Sequence, residues 1–147
     1  MNRLVVDASV AAKWLLPPAD EPFVDIATRL LDGYTNKQIE ILVPDLFWVE
    51  VGNLLWSAAR AGRCTQDHAK TALARIAERE FPTVPSVAVL RLAFEIAIAC
   101  GRTVYDSVYV ALAQLSAAQF VTADEKLVNA LEGKYPVISL ARYHYRR

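Results

Sequence analysis

Four carboxylates and two hydroxyls stand where they could do chemistry. Asp7 closes the apolar run at residues 4–6 in "LVVDAS", and Ser9 follows two residues later. Asp106 opens an apolar helical pattern in "TVYDSVYVALA", while Asp124 follows "QFVT", whose last residue is Thr122. Glu50 is the only charge between Asp45 and Arg60, and its helical neighbours are Leu46, Phe47, Asn53 and Leu54. A carboxylate in that company needs a cation, a hydrogen-bond donor or a raised pKa. Structural roles compete at each of the other three: Asp7 and Asp124 can cap the helices that follow them, and Asp106 has box spacing with Thr103.

Taken together, the acids point to a hard divalent cation. Carboxylates sharing one rim repel one another, and no Lys or Arg is adjacent to them in sequence. Oxygen donors, in a chain with two His and two Cys, favour Mg²⁺ or Mn²⁺ over zinc. A cation of that kind activates water, and the chemistry it suits is phosphodiester hydrolysis. Phosphatases with an aspartyl nucleophile also place an acid after their first strand, but they call for a second acid where this chain has Ser9.

The acids can act together only if the fold gathers them. Short β-branched runs at 3–6, 39–43, 81–84, 119–122 and 136–140 alternate with helical patterns at 9–16, 22–34, 45–61, 66–79, 86–100, 105–117 and 124–133. Such alternation predicts an α/β fold, a parallel sheet with helices on both faces. Pro82 confines the third run to a strand start or an edge. Ser86 is expected to cap the fifth helix, and Thr122 and Glu125 have capping-box spacing. Ligands of open parallel sheets collect beyond the carboxyl ends of the strands. If the first and fourth strands are neighbours, Asp7, Asp106 and Asp124 meet on one rim.

The 147 residues fit a single domain, 1–147, with no linker or repeat. Sixteen basic and sixteen acidic residues cancel, so overall charge gives no support to nucleic-acid binding. Local patterning does so only at "ARYHYRR", where arginines alternate with aromatic rings over 142–147. Cys64 and Cys100 form no metal or disulfide pattern. No segment has the length and apolarity of a membrane span, and a cytoplasmic location is expected. A hydrophobic fraction of 54% is high for one small core, so part of the apolar surface is expected to face another chain. Helix 45–61, with Phe47, Trp48, Val51, Leu54, Leu55 and Trp56 around its full turn, is the candidate for that contact.

"LVVDAS", "FWVEVGNLL", "TVYDSVYVALA" and "FVTADEKL", in this order over nearly the whole chain, resemble the PIN-domain ribonucleases, and specifically the VapC-type toxins of toxin–antitoxin pairs. The resemblance implies a three-layer α/β/α sandwich around a mainly parallel, roughly five-stranded sheet. It also implies a Mg²⁺- or Mn²⁺-dependent endoribonuclease with RNA as substrate. Asp7 and Asp106 would hold the metal, Glu50 and Asp124 would complete the pocket directly or through water, and Ser9 and Thr122 would support the carboxylates. Tyr105 precedes the third acid as the family often has it, whereas Ser107 replaces a common alanine. The partners implied are a second copy of the chain, through the region of helix 45–61, and a VapB-type antitoxin. The alternative is a catalytically silent dimeric binding module of the same fold that holds an antitoxin-like partner.

Overall fold

The computed structural model describes residues 2–143. Its strands are β1 (Asn2–Val6), β2 (Ile39–Pro44), β3 (Thr83–Val84), β4 (Gln119–Thr122) and β5 (Val137–Ser139). They form one parallel sheet in the order β3-β2-β1-β4-β5. The helices are α1 (Ala8–Leu15), α2 (Val24–Thr35), α3 (Leu46–Arg60), α4 (Gln66–Ala77), α5 (Leu90–Cys100), α6 (Val104–Leu115) and α7 (Glu125–Leu131).

From β1 the chain steps outward through β2 to β3, then crosses back to β4 and steps the other way to β5. Right-handed crossovers moving in opposite directions put their helices on opposite faces of a sheet. Accordingly α1 packs with α2 and α3, α3 packs with α4, and α5 packs with α6 as a separate group. Both α1 and α6 rest on β1, which is buried from Leu4 to Val6 as a strand covered on both faces must be. The reversal of strand order between β1 and β4 is the position at which an α/β sheet opens a crevice.

The third strand run is shorter than expected. Pro82 and Phe81 precede β3, which lies at the edge as proline requires. Phe81 is instead a buried core residue, with the Tyr34 ring at 4.9 Å and the Phe47 and Trp48 rings at 6.1 Å. Trp48 Nε1 donates to Thr83 Oγ1 at 3.0 Å, so side chains of α3 tie down a strand with few ladder bonds of its own. The helix expected over 86–100 divides into a 3₁₀ turn, Ser86–Val89, and α5. Ser86 caps neither, because its backbone N–H and its hydroxyl both donate to Asp45 Oδ1.

Helix α3 is apolar around its turn but buried along one face only. Phe47, Val51, Leu55 and Ala58 enter the core, while Val49 is 71% and Trp56 58% exposed. On the far side of α1, the buried pair Lys13–Glu21 (2.7 Å) shares its carboxylate with Arg63 (2.8 Å), fastening the 3₁₀ turn at Pro18–Asp20 to the α3–α4 connection. The beginning of the basic, aromatic tail is packed: Arg142 pairs with Glu132 at 2.6 Å and Tyr143 is buried. Residues 144–147 of that tail lie outside the described residues.

Candidate active site

The parallel register builds the centre of the site. Val6 of β1 lies beside Val121 of β4, so the next residues, Asp7 and Thr122, are neighbours at the carboxyl edge. Thr122 Oγ1 donates to Asp7 Oδ2 at 2.7 Å. The other carboxylate oxygen accepts from the Ser9 backbone N–H at 3.1 Å and from the Ser9 hydroxyl. Ser9 Oγ in turn accepts from Ala123 N at 2.9 Å, and Thr122 Oγ1 accepts from Asp124 N at 3.1 Å. Both expected hydroxyls therefore support Asp7, and they also fix the loop that carries Asp124.

The helix caps are real and coexist with this arrangement. Asp7 is the N-cap of α1, Asp124 caps α7 by accepting from Leu127 N at 3.2 Å, and Thr103 caps α6 through Asp106 N at 3.1 Å. The box expected between Thr122 and Glu125 is not the cap of α7. Thr122 serves Asp7, and Glu125 accepts from the Ser139 hydroxyl. One Asp124 oxygen is engaged by its cap; the other has no partner among the bonds of the cap itself.

Glu50 reaches the same rim from α3, where Tyr109 of α6 donates to its Oε2 at 3.1 Å. The Tyr109 ring is buried and stacks on Phe120 of β4 at 5.5 Å, so sheet and helix together fix the phenol. Sequence reasoning missed Tyr109. Its signal was spacing, because a residue three beyond Asp106 shares that acid's side of a helix. Arg102 was missed as well, four residues before Asp106, with its guanidinium 3.8 Å from Asp106 Oδ2.

Burial and mutual repulsion act on the acids. Burial pushes Asp7 up to about 6, against the hydrogen bonds from Ser9, Thr122 and the backbone that favour its charged form. Glu50 is raised by burial, with further upward pressure from Asp7 and Asp106 against the Tyr109 hydrogen bond. Asp106 is raised by burial and by Asp124, with Arg102 opposing. These mutual effects link the four expected acids into one electrostatic group. Even so, among the described residues no three acidic, His or Cys side chains are grouped tightly enough to form a ready cage for a cation. The rim is open, and its donors are all oxygens. That donor set fits a hard ion that keeps several of its waters.

Removing the phenol hydroxyl tests the Glu50 contact. Tyr109→Phe takes away a bond that favours the carboxylate, so the Glu50 pKa rises further. Any activity that needs Glu50 charged should fall about tenfold near neutral pH, its acid limb moving to higher pH. An unchanged pH profile would show that Glu50 has no part in the activity.

A parallel sheet with helices on both faces and an acidic group at its switch point defines an α/β protein whose chemistry lies on the sheet rim. The family model for the PIN domain matches residues 4–131, and the chain belongs to that family. Over 138 residues it is 33% identical to Ribonuclease VapC3 of Pyrobaculum aerophilum, covering 92% of this chain and 97% of the relative. Exonuclease VapC9 of the same organism is 32% identical over 113 residues, 74% of this chain and 80% of the relative. Among solved structures, a toxin–antitoxin complex from Klebsiella pneumoniae matches with a TM-score of 0.60 at 12% identity, over 97% of this chain and 99% of that one. At that identity the likeness concerns fold.

Proposed function

We propose that the protein is a divalent-metal-dependent endoribonuclease and the toxin of a VapBC-type toxin–antitoxin pair. The observation that carries this reading is the shared electrostatics of Asp7, Glu50, Asp106 and Asp124 at the β1–β4 switch point. The relationship to Ribonuclease VapC3 along nearly the whole chain supports RNA as substrate. Mg²⁺ or Mn²⁺, bound at Asp7 and Asp106, would supply an activated water and charge neutralisation at the scissile phosphate.

The chain's own residues prepare that centre. Ser9 and Thr122 hold the Asp7 carboxylate in one orientation, so it presents its charge without a search of rotamers. Tyr109 fixes Glu50 at the edge, where a half-buried carboxylate of raised pKa suits proton transfer near neutrality. The partly exposed Asp106 and Asp124 complete the rim.

Partners are part of the same reading. No helix among the described residues is long and apolar enough to cross a membrane. Trp56, with Arg60 lying over its ring at 5.2 Å, and the 42% exposed Leu73 offer apolar surface on α3 and α4. We assign the self-contact to this region of α3, and an antitoxin segment to the cleft side of the molecule.

A circular single-stranded RNA separates endonuclease from exonuclease, a distinction the two named relatives leave open. With Mg²⁺ or Mn²⁺ the protein should linearise it, and Asp106→Asn should not. Cleavage of linear RNA alone would make the enzyme an exonuclease. Cleavage of neither, alongside tight binding of an antitoxin-like protein, would favour the silent binding module.

A further inference from the structure

Arg102 is poorly satisfied where it stands. Its Nε is the buried side-chain nitrogen or oxygen that lacks a hydrogen-bond partner among the described residues. Its Nη2 lies 3.8 Å from Asp106 Oδ2, beyond hydrogen-bond range, and its side chain keeps 26% of its exposure. A guanidinium carries five donors in a planar fork that matches two oxygens of a phosphate. One carboxylate at that distance engages the charge and leaves the fork largely unused. A cation on Asp106 would weaken even that attraction, because both positive groups draw on the same oxygens.

Three residues on, Tyr105 is 66% exposed and borders an open groove of about 410 Å³ that runs from Glu50 past Leu46, Val49, Asn53 and Leu54. A ring held in water next to an acidic catalytic rim has a free π-face. The groove continues directly from Glu50, so whatever lies in it adjoins the reacting bond.

We propose that Arg102 and Tyr105 grip the substrate: Arg102 takes the non-bridging oxygens of a phosphate beside the scissile bond, and Tyr105 stacks the unpaired base attached to it. The occupant is therefore a nucleotide of single-stranded RNA, a chain that supplies both an anion for the fork and a flat ring for the phenol. The charge sign favours this occupant over an apolar peptide, since the partly exposed guanidinium of Arg102 calls for an anion. Asn53, on the groove wall, is placed to read a base edge through its carboxamide.

This inference rests on the ribonuclease reading, and its test keeps the two apart. Binding of a fluorescent single-stranded RNA is measured with Mg²⁺ over a salt series, in Asp7→Asn protein so that substrate survives. Adding Arg102→Gln should weaken binding about tenfold and reduce the salt slope by about 0.7, the value of one single-strand phosphate contact. Arg102→Lys should restore the slope. Tyr105→Ala should weaken binding about 5- to 100-fold with the slope unchanged. Thermal melting of each variant separates these effects from misfolding.

An unchanged slope in folded Arg102→Gln, or unchanged affinity in Tyr105→Ala, overturns the grip, and the ribonuclease reading then still stands on cleavage by the unmodified chain. If binding responds as expected but Asp7→Asn still cleaves, the grip holds and the acid assignment fails.

Discussion

Asp7→Asn is expected to lower RNA cleavage by at least about 10³-fold while leaving the protein as stable as the parent, or more so, at pH 7.5. Loss of activity with gain of stability distinguishes a catalytic carboxylate from a structural one. Asp7 is almost wholly buried, and its pKa is raised to about 6, above the ordinary carboxylate value. Between about pH 4 and 6 the folded protein therefore holds a proton that the unfolded chain releases. By linkage, stability falls as pH rises through that window, by about 3 kcal/mol for a shift of about two units, and stays low above it.

Asparagine carries no charge to desolvate, so the variant avoids that loss. It also remains a good N-cap and can accept from the Ser9 N–H, while the Thr122 hydroxyl can turn to accept from the amide. Melting curves from pH 4 to 8 check this. The stability gap in favour of the variant should open as pH rises from about 4 to about 6 and stay constant above that. A variant that is less stable at pH 7.5 but active would make Asp7 a cap and nothing more.

The second large effect is stabilisation by Mg²⁺ or Mn²⁺. A cation relieves the repulsion that raises Glu50 and Asp106, and a ligand bound only by the folded state adds about 2.7 kcal/mol at a hundred times its Kd. For a chain of this size that is roughly 5–10 °C in Tm. Chelation should reverse it, and Asp7→Asn or Asp106→Asn should remove most of it. The response should also weaken below about pH 6, where the ion must displace a proton from Asp7 to bind. An equal Tm rise in parent and variants would move the cation to another part of the surface.

Much of the site was legible because single residues carried two signals at once. Asp7 ended an apolar run, and β1 does deliver it to the carboxyl edge, where Thr122 and Ser9 meet it as expected. Glu50 was conspicuous as a lone charge in an apolar helix, and it reaches the rim. Tyr109 and Arg102 were not legible, because an aromatic in a helical pattern reads as core and an isolated arginine reads as surface. Only the packing of α6 on the sheet shows that one donates to Glu50 and the other faces Asp106.

The same limit applied to the fold. Alternating runs fixed the parallel sheet, but Phe81 looked like a strand residue because its destination, an aromatic cluster with Tyr34, Phe47 and Trp48, is assembled from distant parts of the chain. Helix α3 was apolar around its turn, and sequence could not say which side meets the core and which keeps Val49 and Trp56 exposed.

The hydrogen bond from Thr122 to Asp7 joins residues 115 positions apart, and β4 comes to lie against β1 only late in the sequence. During synthesis β1, α1, β2 and α3 emerge with Asp7 and Glu50 long before the strand that must lie against β1. Closing so long a loop is slow, and little of the site exists until it closes. A ribosome that stalls or aborts before residue 122 therefore releases a fragment that lacks Asp124 and the hydroxyl that steadies Asp7. The harmful activity we propose is thus tied to completion of the chain, which gives a cell making this protein an interval during translation in which a partner can arrive first.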